Sequence, residues 1–316
     1  MHPAKSVILF TTASGAGYGL IAWLGVLAIL GLLPADRGLG LFAFGLGFGL
    51  VILGLVSSTF HLGHPERAWR ALSQWRSSWL SREGVAAVFT FLPAGLFALG
   101  WVVLGRNDGA FAILGLIASL SCVATVACTA MIYASLKTIR AWHSPWTLPA
   151  YLVMAALSGG LLLLVLLGLW GQPLAGPFAA TVLALFAATL AVKLLYWRSL
   201  ADADDASTAE SATGLGRFGK VSLLEAPHSE SNYLMQEMGF QVARRHAERL
   251  RRFVLFGGLA APFVLVLIGL AVPGAVAVVA AVVAAVLLGA GLAVERWLFF
   301  AEAKHVVTLY YGESRA

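Results

Sequence analysis

Apolar residues in this chain neither alternate nor recur as a one-sided stripe. They run on for roughly twenty positions at a time before a polar break, the length a helix needs to cross a bilayer's hydrocarbon core. Eight such runs occur, at 6–33, 39–60, 84–104, 110–134, 147–169, 177–197, 253–272 and 275–298. The pattern predicts an all-α polytopic membrane protein, with eight transmembrane helices in a single membrane domain, 1–316. A β-barrel would need strands that alternate apolar and polar residues, and these runs do not. The first run is long and lacks a small-residue cleavage pattern, so it reads as a retained helix.

Four breaks between runs are short and rich in turn residues: "LPADRG", "GRNDG", "GQPLAGP" and "VPG". The longer polar segments are 61–83, 135–146, 198–252 and the tail after 298. In 61–83, Pro65 suits the first turn of a helix. At about 100° per residue, Ala68, Leu72, Trp75 and Trp79 share one face, with Arg67, Arg70 and Gln74 opposite. This predicts a short interfacial helix after span two. The segment 198–252 opens on the acidic "DADDASTAESATG", a composition that favours an extended, flexible chain. It closes on a helical stripe of Leu234, Met238 and Val242, followed by Arg244, Arg245, Arg249, Arg251 and Arg252. The basic end suits anionic lipid and the stripe suits a docking helix for a soluble partner; the two roles can coexist. In span two, Gly45, Gly49 and Gly54 are expected to form a small-residue packing face.

Composition agrees with the pattern and charge adds an orientation. The 316 residues are 60% hydrophobic and 11% charged, against about 25% charged in soluble domains. Eight crossings put both termini and the three long connections on one side. Of the 21 Lys and Arg, only Arg37 and Arg106 then fall on the other. Positive charge stays cytoplasmic. Both termini, the interfacial loop 61–83 and the loop and docking helix within 198–252 are therefore expected in the cytoplasm. The basic groups gather beside membrane lipid, and no nucleic acid partner is expected. Trp142, Trp146, Trp170, Trp197 and Trp297 lie near span ends, where an amphipathic ring suits the headgroup layer.

Candidate chemistry concentrates at 61–83. His61 falls where span two leaves the hydrocarbon, and an imidazole there can hydrogen-bond and exchange protons near neutral pH. His64 reads as an exposed cap before Pro65. "HLGH" could pair on a metal, but no further ligands cluster near it, and no metal site is expected. Glu83 follows Ser81 at the start of span three. It is either ordinary helix-start chemistry or a carboxylate that relays protons near His61. Glu295 and Arg296 read as a snorkelling ion pair near the end of span eight. Cys122 and Cys128, six apart in one run, form neither a disulfide nor a cluster set. No phosphate-binding Gly loop with a Lys, iron–sulfur Cys set or buried haem-ligand pair is evident.

"HLGHPERAWRAL…SWLSRE" resembles the membrane-anchor subunit of the dimethyl sulfoxide reductase family. The resemblance is carried by His61, Leu62, Gly63, Pro65, Arg67 and Ala68, then Leu80, Ser81 and Glu83, and by the eight spans. It implies a bacterial inner-membrane anchor for a molybdopterin catalytic subunit and a four-cluster iron–sulfur subunit, with a quinone site and no haem in this chain. The residue matching His61 is implicated in quinone binding in that family, with the residue matching Glu83 close by. Arg67, Trp69 and Arg70 would frame the pocket or meet the partner. The quinone could be ubiquinone or menaquinone. Cytoplasmic orientation better matches the related sulfite dehydrogenase anchors, which pass electrons to quinone, than a quinol-oxidising reductase anchor. A transporter or structural scaffold is the remaining alternative.

Overall fold

The computed structural model describes residues 4–60, 62–173, 175–201, 207–225, 227 and 242–313. The described residues are helical, without strands. Eight of the described helices are long and apolar enough to cross a membrane. They are span one (Lys5–Ile29), two (Arg37–Thr59), three (Trp79–Val102), four (Gly109–Ala134), five (Thr147–Leu169), six (Ala175–Ala201), seven (His246–Ala271) and eight (Ala275–Ala301). Several bounds differ from the apolar runs. Span one stops at Ile29 because Gly31 turns the chain with φ of 67°. The helix of span seven begins as far back as Val242, so the basic segment runs helically into the membrane.

The expected interfacial helix is present as a 3-10 helix, Pro65–Gln74. Three residues per turn replace the α-helical rows by rows of every third residue. Trp69, Leu72 and Trp75 now align, Arg67 and Arg70 form a second row, and Ala68 and Ala71 a third. Ala68 is half-buried, while Trp69 and Trp75 are exposed. Leu72 rests on Gly84, where a Cβ would lie 2.7 Å from its Cδ2. This seats the loop on span three.

Spans one, two, four and five pack closely through small residues. A Cβ on Gly19 would collide with the Ala155 carbonyl oxygen, and one on Gly25 with that of Gly115. Side chains at these crossings would separate the helices. The small-residue face expected on span two is shifted. Gly54 does meet Ser14, but a Cβ on Gly45 or Gly49 would meet nothing within 4 Å; Gly40 and Gly47 make the other contacts, to Trp101 and Ile21. Positions 40, 47 and 54 are seven apart, two full turns, which keeps them on one side.

Two apolar clusters fill the bundle. One centres on Leu20, Leu24, Phe97, Trp101 and Leu157. The other gathers Tyr18, Tyr151, Tyr196, Trp142 and Phe299 at the end where the 3-10 helix sits. Trp142 belongs to this core rather than to a headgroup layer; it is 5% exposed and its indole N–H donates to the Phe299 carbonyl at 2.9 Å.

Candidate functional site

Span three begins at Trp79, one turn earlier than the apolar run suggests, and this places Glu83 inside the bundle. Ser78 caps the helix, accepting from the Ser81 N–H. Ser81 is thereby freed from the capping role expected of it, and its hydroxyl donates to the Ala71 carbonyl of the 3-10 helix. Arg82 bends back over the loop, donating to the carbonyls of Trp75 at 3.0 Å and Arg76 at 2.7 Å while stacking on Trp79. These contacts absorb loop carbonyls that would otherwise lie orphaned at the membrane edge.

Glu83 is 5% exposed, and the Thr129 hydroxyl of span four donates to its carboxyl oxygen. Tyr18 from span one, Cys128 and Tyr133 from span four and Tyr151 from span five lie within electrostatic reach of it. Among the described residues the partner of this carboxyl is the neutral Thr129 hydroxyl, with no ion pair to a cation.

The other expected site residues divide differently. His61 lies outside the described residues. Arg67, Trp69 and Arg70 are exposed on the 3-10 helix, Trp69 at 68%. Glu66 is beside Arg67 at 3.7 Å and beside His64 at 3.0 Å, and His64 is exposed as expected. The structure thus brings Glu83 to the interior and leaves Arg67, Trp69 and Arg70 on the outer surface above it. Among the described residues no group of three His, Cys, Asp or Glu gathers as a metal site would require.

A second polar group faces the same interior. Glu295 and Arg296 do not snorkel; they are 1% and 4% exposed. Lys193 of span six turns inward to meet them, its ammonium 2.5 Å from Glu295 Oε1. Arg296 Nε is 2.7 Å from Glu295 Oε2, and its Nη2 donates to Met154 Sδ at 2.9 Å. One carboxylate between two cations leaves a net charge of +1. Aromatic faces absorb part of it: Arg296 stacks on Tyr151 at 4.0 Å and Lys193 on Tyr196 at 4.1 Å. Towards the helix ends, Arg251 pairs with Glu302 at 2.8 Å. Burial raises the Glu302 carboxyl above its usual range and Arg251 opposes that shift. Neither Lys193 nor Thr129 stands out in the sequence. Lys193 looks like a flanking charge there, although an ammonium in "ATLAVKLLYW" together with an acid in "AVERWLF" is a usable signal.

The dimethyl sulfoxide reductase anchor family, described as "DMSO reductase anchor subunit (DmsC)", matches residues 1–312. The chain belongs to this family. It is 35% identical to the C subunit of a sulfite dehydrogenase from Allochromatium vinosum, over 98% of this chain and 99% of that one. It is also 32% identical to the C polypeptide of the anaerobic dimethyl sulfoxide reductase from Escherichia coli, over 39% of this chain and 44% of that one. The protein is therefore a membrane anchor subunit of a dimethyl sulfoxide reductase family complex. In the anchor's own geometry, a quinone head is compatible with the donors present. Among the described residues, the Tyr18 hydroxyl, within electrostatic reach of Glu83, is buried without a hydrogen-bond partner. Such an orphaned donor is uncommon in a folded interior and suits an oxygen acceptor.

Proposed function

We propose that this anchor binds quinone in a pocket formed by His61 and Glu83, framed by Arg67, Trp69 and Arg70, and passes electrons to it from a four-cluster iron–sulfur subunit. A molybdopterin subunit would oxidise the substrate, with sulfite the favoured one. Quinone, ubiquinone or menaquinone, supplies a carrier that takes two electrons and two protons. The chain's residues do the rest: His61 hydrogen-bonds a carbonyl, and Glu83 exchanges protons at the inner edge. The observation that carries this reading is the buried Glu83 carboxyl held by Thr129 directly beneath the motif loop. Likeness along nearly the whole chain to a sulfite dehydrogenase subunit supports the sulfite assignment.

The charge asymmetry supports a cytoplasmic location for both termini, the motif loop and the 198–252 segment. The basic helix from Val242 would meet lipid headgroups and the partner there; Leu234 and Met238 of its expected stripe lie outside the described residues. Partial likeness to the Escherichia coli reductase polypeptide favours a second reading, in which quinol is oxidised.

The test is the purified complex. His61→Ala and Glu83→Gln should each abolish quinone reduction by sulfite while molybdenum and iron remain bound. Normal turnover in either variant would sink the site. A cysteine placed at Leu215 should be inaccessible to an impermeant maleimide in intact cells; labelling from outside would reverse the orientation and favour the second reading.

A further inference from the structure

Between spans one, four, five and eight lies a cavity of about 30 Å³. Its polar lining includes Thr129, Arg296, Tyr151, Thr11, Thr12 and Ser158. Thr129, Arg296 and Tyr151 lie at the motif end of the bundle. Thr129 is five residues before the end of span four, Arg296 five before the end of span eight, and Tyr151 four after the start of span five. At 1.5 Å per residue this part of the cavity sits roughly 6–8 Å below the helix ends. The lining is unusual for a membrane interior. Thr11, Thr12 and Ser158 spend their own hydroxyl hydrogens on carbonyls of their helices, at 2.9, 2.8 and 2.8 Å, and keep lone pairs that can still accept. Arg296 Nη1 and the Tyr151 hydroxyl, in side chains 4% and 5% exposed, lie close to each other but make no well-formed hydrogen bond, so each has a donor hydrogen to spare. Unmet donors, free acceptors and this volume together fit about two water molecules.

We propose that the cavity is hydrated and that its water is the route by which Glu83 exchanges protons. Water accepts from Arg296 Nη1 and Tyr151, and bonds to the Thr129 hydroxyl, which in turn donates to Glu83. A proton leaving the Glu83 carboxyl is replaced through the Thr129 hydroxyl by one from cavity water, and that water regains it from the polar end of the bundle. One proton moves and no electron does. The groups facing Glu83 along this path are Tyr18 of span one, Cys128 and Tyr133 of span four and Tyr151 of span five, with Arg82 preceding it on span three. This rests on the reading that Glu83 serves the quinone pocket.

Hydration can be tested without turnover. Radiolytic hydroxyl-radical footprinting of the purified complex oxidises side chains beside bound water. Tyr151, which is buried, should be modified several-fold faster than the comparably buried Tyr196, which does not line the cavity. Gly15→Val should abolish that excess, because Gly15 lines the cavity and a Cβ there would meet only Ala155, at 4.0 Å. Turnover supplies the second arm. Thr129→Val and Gly15→Val should lower kcat about tenfold or more with KM for quinone little changed. Their solvent deuterium isotope effect should rise, metal content should stay constant, and Thr129→Ser should restore the rate. Equal footprinting of Tyr151 and Tyr196, or wild-type kcat in both variants, would overturn the proposal. If Glu83→Gln also turns over normally, the quinone-site reading has failed instead; if Glu83→Gln is inactive while these variants are normal, the water route alone is wrong.

Discussion

Thr129 on span four donates its hydroxyl hydrogen bond to Glu83 on span three, and the same hydroxyl also lies 3.1 Å from the Thr125 carbonyl of its own helix. The second acceptor separates structure from chemistry at this site. When Glu83 no longer accepts, Thr129 falls back on Thr125 and no buried donor is stranded.

Glu83→Gln is therefore expected to be close to neutral for stability, within about 1 kcal/mol, because the amide oxygen can still accept from Thr129. Quinone turnover should fall about 100-fold or more, since glutamine cannot exchange the proton. Thermal unfolding of the detergent-solubilised complex and its steady-state rate, measured on one preparation, check both halves. A large drop in melting temperature matching the activity loss would make Glu83 a structural residue.

Much of this fold was legible because each span is a continuous apolar run of bilayer length, and such runs need no periodicity to be read. The site was legible only in part. The motif named Glu83, but Ser81 looked like the helix cap. The true cap, Ser78, moves the helix start back one turn and turns Glu83 inward. The 3-10 winding of Pro65–Gln74 was hidden for a related reason: both windings put Leu72 and Trp75 on one side, and tertiary contacts such as Ser81 to Ala71, invisible in the sequence, accompany the tighter one. Pairing of Lys193 with Glu295, 102 residues away, leaves no local spacing to detect.

Glycine positions in spans one and two should respond in opposite ways. Gly19→Ala must push apart spans one and five, because the obstacle is the Ala155 backbone rather than a mobile side chain. A loss of about 1–3 kcal/mol is expected. Gly45→Ala meets nothing within 4 Å and should stay within about 0.5 kcal/mol of the parent. Melting temperatures of the two variants in the same detergent give the comparison.

His305 gives the protein an acid-sensitive end. It follows span eight, lies 9% exposed against the edge of Trp142, and burial pushes its imidazole down to about 4 from the usual 6.5. Above pH 6.5 both folded and unfolded chains carry it neutral, so it adds no pH dependence. As pH falls from 6.5 towards 4, the unfolded chain takes up the proton and the folded one resists, so stability declines across that window. His305→Phe should flatten this part of a stability-against-pH profile. An unchanged slope would place the acid sensitivity elsewhere.

The buried trio of Lys193, Glu295 and Arg296 predicts an order of damage that simple loss of contacts does not. Lys193→Met leaves Glu295 paired with Arg296 and brings the cluster from a net charge of +1 to neutral, so a modest effect is expected. Glu295→Gln strands two cations side by side within the bundle, and breaking a buried pair in this way costs about 3–5 kcal/mol. The double variant Lys193→Met with Glu295→Gln keeps a single cation, Arg296, still stacked on Tyr151 and bonded to Met154. It should therefore be more stable than Glu295→Gln alone, although it removes more native contacts. Thermal unfolding of the three variants decides the matter. If damage simply adds, making the double variant the least stable of the three, the contacts hold the cluster together independently of its charge balance.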